Sequence, residues 1–241
     1  MAGVLEAYYY RLRKIWKHID LYICPSQFMA DKLVAYGFSR SKMRVVPNPF
    51  AAQTTQHPLG DKVVYLGRTH VEKGIKLFME AAKELRDYKL VVAGSGPEDA
   101  WVQEFARQHI LSNVERLGWV HGEAWQKAML SAKVIVVPSV FYENCSLAIL
   151  EALSYGRIVV SVDRGGNPEL IQHGINGFLA KPEDPTDLAK TIRQAMQTDQ
   201  VQAAAIVDKA KQTVQNNHDP ENYFKRLEEI YAEAVSLKRK L

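Results

Sequence analysis

The sequence lacks most of the features that settle an assignment early. No apolar run approaches the 18 or more residues of a membrane-spanning helix. Residues 4–22 alternate aromatic and basic positions, so no secretion signal is expected. Cysteine is scarce: Cys24 and Cys145 lie far apart in apolar contexts. They read as reduced, buried thiols of a cytosolic protein, not as a disulfide framework. There is no D-x-D and no pair of histidines at helical spacing, so neither a catalytic metal nor another cofactor is expected. The G-x-x-x-x-G-K-[ST] phosphate loop is also missing. Net charge is only +4, too small to argue for nucleic acid as a partner. The basic residues do cluster, in "RLRKIWKH" at 11–18 and "KRK" at 238–240. Each cluster reads either as a contact with anionic lipid or as a solvated helix face.

What is present suffices for a large core. The 241 residues are 47% hydrophobic and 24% charged, which allows one large domain or two small ones. Residues 4–18 read as a helix and "DLYIC" (20–24) as a short strand. A second helix, capped by Ser26 and stopped at Gly37, leads to the strand "MRVVPNPF". Residues 51–60 are polar, lack periodicity and read as a linker. Beyond them the rhythm is regular. The runs at 62–67, 88–94, 114–119, 133–139 and 157–162 are short and β-branched. Helical patterns fall between them at 73–86, 98–108, 122–131 and 145–155, with further helices near 184–197, 200–215 and 220–238. Strands apolar on both faces and alternating with helices predict an α/β, doubly wound parallel sheet over 61–200. Residues 1–50 make only a strand–helix–strand remnant, and 201–241 supply terminal helices.

In such sheets ligands bind beyond the carboxyl ends of the strands, so chemistry is sought at the strand-to-helix junctions. The first, "YLGRTHVEKGIKLF", joins Gly67, Arg68 and Lys73 to a helix start, the makings of an anion site; two solvated cations are the bland reading. The second, "VVAGSGPE", has Gly94 and Gly96 but Asp99 where a dinucleotide fingerprint needs glycine. The broken fingerprint disfavours an NAD-type oxidoreductase. A plain turn also explains this pair of glycines. At the third junction His121 reads as a surface loop residue, with the backbone around Val120 of more interest. The fourth, "VFYENCSLAILEALSYG", places Glu143 before a helix whose first amides, at Asn144, Cys145, Ser146 and Leu147, are free donors. Glu151 falls in the apolar run that follows. A carboxylate there needs donors, either a core arginine or a ligand's hydroxyls such as those of a ribose. At the fifth, Gly165 and Gly166 form a turn, Glu169 opens a short helix, and Gly174 and Gly177 flank a hairpin-like turn.

The order G-R-x(4)-K-G, A-G-x-G, P-S-x(3)-E-x(7)-E-A, G-G-x-x-E and G-x-x-G resembles the C-terminal domain of the group 1 retaining glycosyltransferases, family 4 type, of the GT-B fold. The likeness covers about residues 40–200. It implies a donor-binding Rossmann-like half that takes a UDP-, GDP- or ADP-sugar as substrate and transfers the sugar to a glycan or lipid-linked acceptor. By this resemblance Arg68 and Lys73 bind the diphosphate, Glu143 holds sugar hydroxyls and the amides near Ser146 and Leu147 assist with phosphate. Glu151 takes the ribose hydroxyls, and residues 120–121 flank the base. The family also carries a full N-terminal acceptor domain. Residues 1–50 resemble only its last part, so the missing half is expected in a longer gene or on a partner chain, and residues 220–241 are expected to cross back onto it. The other reading is a non-catalytic nucleotide-sugar-binding subunit paired with such a partner. The implied location is cytoplasmic, with peripheral membrane contact where the acceptor is lipid-linked.

Overall fold

The computed structural model describes residues 2–13, 18–53 and 57–238. Most of the basic clusters at 11–18 and 238–240, and part of the 51–60 stretch, lie outside the described residues. The chain begins with α1 (Ala2–Arg13), β1 (Tyr22–Cys24), α2 (Gln27–Ala35) and β2 (Met43–Val45). The two strands pair in parallel, with Tyr22 opposite Met43. Ser26 caps α2 by accepting from Met29 N, and Gly37 follows its end at φ 91°. Cys24, Ala30 and Met43 form a small separate core, edged by Tyr22, Leu33 and Phe38.

The main sheet follows: β3 (Lys62–Leu66), α3 (Ile75–Ala82), β4 (Leu90–Ala93), α4 (Asp99–Gln108), β5 (Val114–Gly118), α5 (Gly122–Ser131), β6 (Ala132–Val137), α6 (Leu147–Ser154), β7 (Ile158–Val162), α7 (Asn167–Leu170) and β8 (Phe178–Ala180). Helices α8 (Pro185–Met196), α9 (Gln200–Asn217) and α10 (Pro220–Lys238) end the chain. All six strands are parallel, in the order β5-β4-β3-β6-β7-β8. The chain therefore starts in the middle of the sheet at β3, builds outward, then returns to the other side at β6. The crevice between the carboxyl ends of β3 and β6 is the switch point, where this kind of sheet binds ligands.

Alternation along the strands divides the core into two layers. Val63, Tyr65, Val134 and Val136 face α3, α4 and α8, where Phe78, Val102 and Ile192 are buried. Val64, Leu66, Ile135 and Val137 face α5 and α6, where Met129, Ile149 and Leu153 are buried. Each such side chain stabilises the fold by about 1.5–3 kcal/mol.

Two expectations need correction. Residues 174–177 do turn, with Gly174 N donating to Gly177 O at 2.8 Å, but no hairpin forms. The turn leads into β8, a sixth strand parallel to β7, too short at three residues to show a pattern. And β5 is not covered on both faces: as an edge strand, it leaves Glu115, Arg116 and Leu117 exposed.

The ends of the chain meet around residues 44–50. Arg44 forms a bidentate ion pair with Glu233 of α10. His218, buried between α9 and α10, holds Asn48 O through Nδ1 at 2.8 Å, and its own carbonyl accepts from Phe50 N at 2.7 Å. Residues 57–60, the described end of the expected linker, are gripped by Arg157, whose guanidinium donates to His57 O and Pro58 O at 2.8 Å each. Among the described residues no helix is long and apolar enough to cross a membrane.

Candidate functional site

Two loops meet at the switch point. Residues 67–74 leave β3, and Tyr65 closes them. Its buried phenol donates to Arg68 O at 2.7 Å and lies 3.2 Å from Lys73 O, so one side chain ties together both ends of the cation-bearing segment. Burial pushes the Tyr65 phenol far above its usual range, so it stays protonated as a donor. Gly74 ends this loop at φ 73°, and a β-carbon there would lie 1.9 Å from Pro138 O. Only glycine allows the loop to press against the end of β6. The second loop, residues 138–146, crosses to the first through Val140 N, which donates to Glu72 O at 2.9 Å.

Between them is a hollow of about 360 Å³, lined by Asn48, Gly67, Lys73, Ser139, Glu143, Cys145, Ser146 and Leu147 among others. Lys73 Nζ lies 2.7 Å from Glu143 Oε1, with the two side chains only 26% and 14% exposed. Ser139 Oγ donates to the same oxygen at 2.9 Å, and Nζ sits 4.5 Å over the Phe141 ring. The two charges that the resemblance gives to different parts of a ligand are thus paired with each other in the free chain. Ser146 begins α6 but its side chain caps no amide, so the first turn of α6 opens on the hollow with donors its own cap does not use. Burial pushes the Cys145 thiol up, against the opposing effect of a hydrogen bond with the Asn48 backbone, which makes a thiolate nucleophile unfavourable. Both cysteines are free and buried.

Arg68 and Glu151 flank this hollow without lining it. Arg68, next to Gly67, is exposed, and among the described residues its side chain has no hydrogen bond or ion pair. Glu151 is half-buried, not enclosed as expected, and its carboxylate has no partner among the described residues. It follows Leu147 and Ala148 by four and three residues, so it shares their face of α6 one turn further in. Desolvation raises its pKa. Arg157, the core arginine that stood as the alternative partner, is fully buried and donates to backbone carbonyls, Ala132 O and Tyr155 O among them.

Gly94 and Gly96 lie at the adjacent strand end, where added β-carbons would meet Gly67 O at 1.9 Å and Thr69 O at 2.6 Å. The space that their side chains give up is filled by the Arg68 loop. Val120 is half-buried against the α5–α6 layer. His121 is the exposed N-cap of α5, and Asn144 is exposed before α6. None of these five lines the hollow. Sequence reasoning missed Asn48, Tyr65 and Ser139 as parts of the site. Ser139 had a signal, since it stands four residues before Glu143; Asn48 had none, because only the chain's return path brings it there.

Two larger grooves, of about 820 and 710 Å³, lie elsewhere. They are lined by Phe178 and α8 and α9, and by residues 57–60 with Lys133. Phe178 and Lys133 stand at the amino ends of β8 and β6, the opposite edge from the strand-end loops. Among the described residues no three His, Cys, Asp or Glu side chains are grouped to hold a metal ion.

The family model described as "Glycosyl transferases group 1" matches residues 60–198, well over half of the chain. The chain belongs to the group 1 glycosyltransferases. A second model, Glycosyltransferase Family 4, matches residues 3–53. An uncharacterized glycosyltransferase of Methanocaldococcus jannaschii, MJ1607, is 31% identical over 73% of this chain and 45% of its own length. The putative colanic acid biosynthesis glycosyltransferase WcaL of Escherichia coli is 26% identical over 89% of this chain and 57% of its own. This group 1 chain thus spans about half the length of those curated relatives. Among solved structures, Anabaena Alr3699/HepE in complex with UDP superposes with a TM-score of 0.81 at 21% identity, over 90% of this chain and 65% of that one. Such a likeness shows the fold.

Proposed function

We propose that this chain is the donor-binding half of a retaining glycosyltransferase and takes a nucleotide-diphosphate sugar into the hollow at the switch point. The observation that carries the reading is a half-buried cation, Lys73, facing the uncapped start of α6 across a hollow at the carboxyl ends of β3 and β6. The UDP in Alr3699/HepE and the family membership support it. Lys73 and the exposed Arg68 receive the diphosphate, with amides of residues 144–147 beside them. Glu143 accepts from donor-sugar hydroxyls, and Glu151, without a partner among the described residues, accepts from the ribose hydroxyls. Residues 94–96 and 120–121 border the nucleoside.

Breaking the sugar–phosphate bond leaves negative charge on the diphosphate. Arg68, Lys73 and the helix start stabilise that charge as it grows, and a preorganised donor of this kind contributes roughly 10²–10³ in rate. The leaving phosphate then takes the acceptor's proton on the same face, so configuration is retained. The charge is neutralised by side chains and amides, so the reading is metal-independent. The acceptor domain, in cis or on another chain, completes the site. Alone, this chain binds donor and transfers sugar poorly.

Calorimetry with UDP, GDP, ADP and NAD tests the reading. One diphosphate is expected to bind at one site, NAD not at all, and Arg68→Ala to weaken the diphosphate about tenfold. Preference for NAD, or binding insensitive to Arg68 and Lys73, overturns it. Rapid transfer by this chain alone overturns the half-site part.

A further inference from the structure

The G-G-x-x-E stretch at 165–169 is not used by the chemistry above, yet it holds the Glu143 loop from two sides. On the first side the contact is backbone to backbone. Gly166 N donates to Glu143 O at 2.7 Å. Added β-carbons at Gly165 and Gly166 would stand 2.6 Å from Glu143 O and 2.0 Å from Asn144 O, so a side chain at either would push the loop away.

On the second side the contact runs through α2. Glu169 Oε2 accepts from Gln27 N at 2.8 Å and Oε1 from Phe28 N at 2.7 Å, across more than 140 residues of sequence. These are first-turn amides with no acceptor inside the helix, and a carboxylate also complements the positive end of the helix. Ser26 takes the next donor, Met29 N, at 3.2 Å. Held this way, α2 lays Phe28 5.2 Å from the Tyr142 ring and Lys32 Nζ 4.7 Å above it, while Arg164 sits 5.7 Å from the same ring. Tyr142 is the neighbour of Glu143.

We propose that Glu169 is a positioning residue: by clamping the start of α2 it presses Phe28 and Lys32 onto Tyr142 and so sets the Glu143 carboxylate in the hollow. The segment before the linker thereby becomes a wall of the donor site and reports its own placement to the sugar-facing carboxylate. The choice of glutamate follows from its two oxygens. Glutamine offers one acceptor and turns an N–H toward a second N–H.

The proposal rests on Glu143 facing the donor sugar, so the test has one arm that needs no ligand. Hydrogen exchange is compared in the free chain for wild type, Glu169→Ala and Glu169→Gln. The amides of Gln27, Phe28, Val140 and Gly166, which donate to Glu169, Glu72 O and Glu143 O, are expected to exchange about tenfold faster in Glu169→Ala, with Glu169→Gln between, and those of β3 and β6 to stay unchanged. A residue that only caps α2 leaves the Val140 and Gly166 amides untouched, and that result overturns the clamp, as does a uniform loss of protection. In the second arm, UDP affinity is expected to stay within about twofold while UDP-glucose affinity falls about fivefold in Glu169→Ala, because only the sugar meets Glu143. Equal losses for both ligands overturn the proposal. If wild type binds neither, the donor reading fails and the exchange result decides the clamp by itself.

Discussion

Replacing Lys73 by methionine separates the structural role of its ion pair from its role toward a ligand. The substitution keeps the apolar stem and removes the cation. Glu143, 14% exposed, is then left with one donor, Ser139 Oγ at 2.9 Å. Breaking a fully buried pair costs about 3–5 kcal/mol. Lys73 is 26% exposed, so solvent reaches the pair and the expected loss is about 2 kcal/mol. Urea denaturation followed by tryptophan fluorescence reads it. Adding Glu143→Gln removes the stranded charge, and the double variant is expected to recover at least half of that loss. Nucleoside-diphosphate affinity behaves differently. Losing one charge-assisted contact to phosphate weakens binding about 10–100-fold, and Glu143→Gln does not restore it. Glu143→Gln alone releases Lys73 from its partner and leaves diphosphate binding unchanged or tighter. A Lys73→Met chain that binds the diphosphate like wild type refutes the assignment of Lys73. A double variant no more stable than the single one refutes the account of the pair.

The remaining predictions concern other buried charges. Desolvation raises the Glu151 pKa, so the folded chain protonates it more readily than the unfolded chain does. Its contribution is complete on the acid side and is lost as pH rises through the raised value. Glu151→Gln should therefore raise the melting temperature at pH 7 while weakening nucleotide binding about tenfold; destabilisation at pH 7 contradicts this. Arg157, fully buried, donates to carbonyls of His57, Pro58, Ala132 and Tyr155. Arg157→Met should cost about 3–5 kcal/mol in urea denaturation, and a loss below about 1 kcal/mol refutes the reading. Burial holds His218 below its usual range, so the unfolded chain takes a proton that the folded chain refuses. Stability should be complete above about pH 6.5 and fall below it. His218→Gln should flatten that slope in melting curves between about pH 5 and 8, and an unchanged slope sinks the assignment.

Much of the architecture was readable without coordinates. The β-branched runs, Ser26 before α2 and the glycines at strand ends all carry local signals, and each predicted element formed within a few residues of its place. The motif spacing also marked the strand-end loops that hold Arg68, Lys73 and Glu143. Strand β8 was not readable, because three residues carry no period and its partner β7 supplies the pairing. Nor was the pairing of Lys73 with Glu143, 70 residues apart.

The division follows from the range of the forces. Residue order alone determined what depends on neighbours within a few positions: the alternation of strand and helix, the caps and turns, and which side chains stand at the strand ends. Tertiary structure decided the rest. It set the strand order that puts β3 beside β6, the route that brings Asn48 into the hollow, and the isolation of Glu151 once Arg157 had turned to backbone carbonyls. Each of these depends on distances between residues far apart in sequence, which exist only after the two sheet faces have been covered.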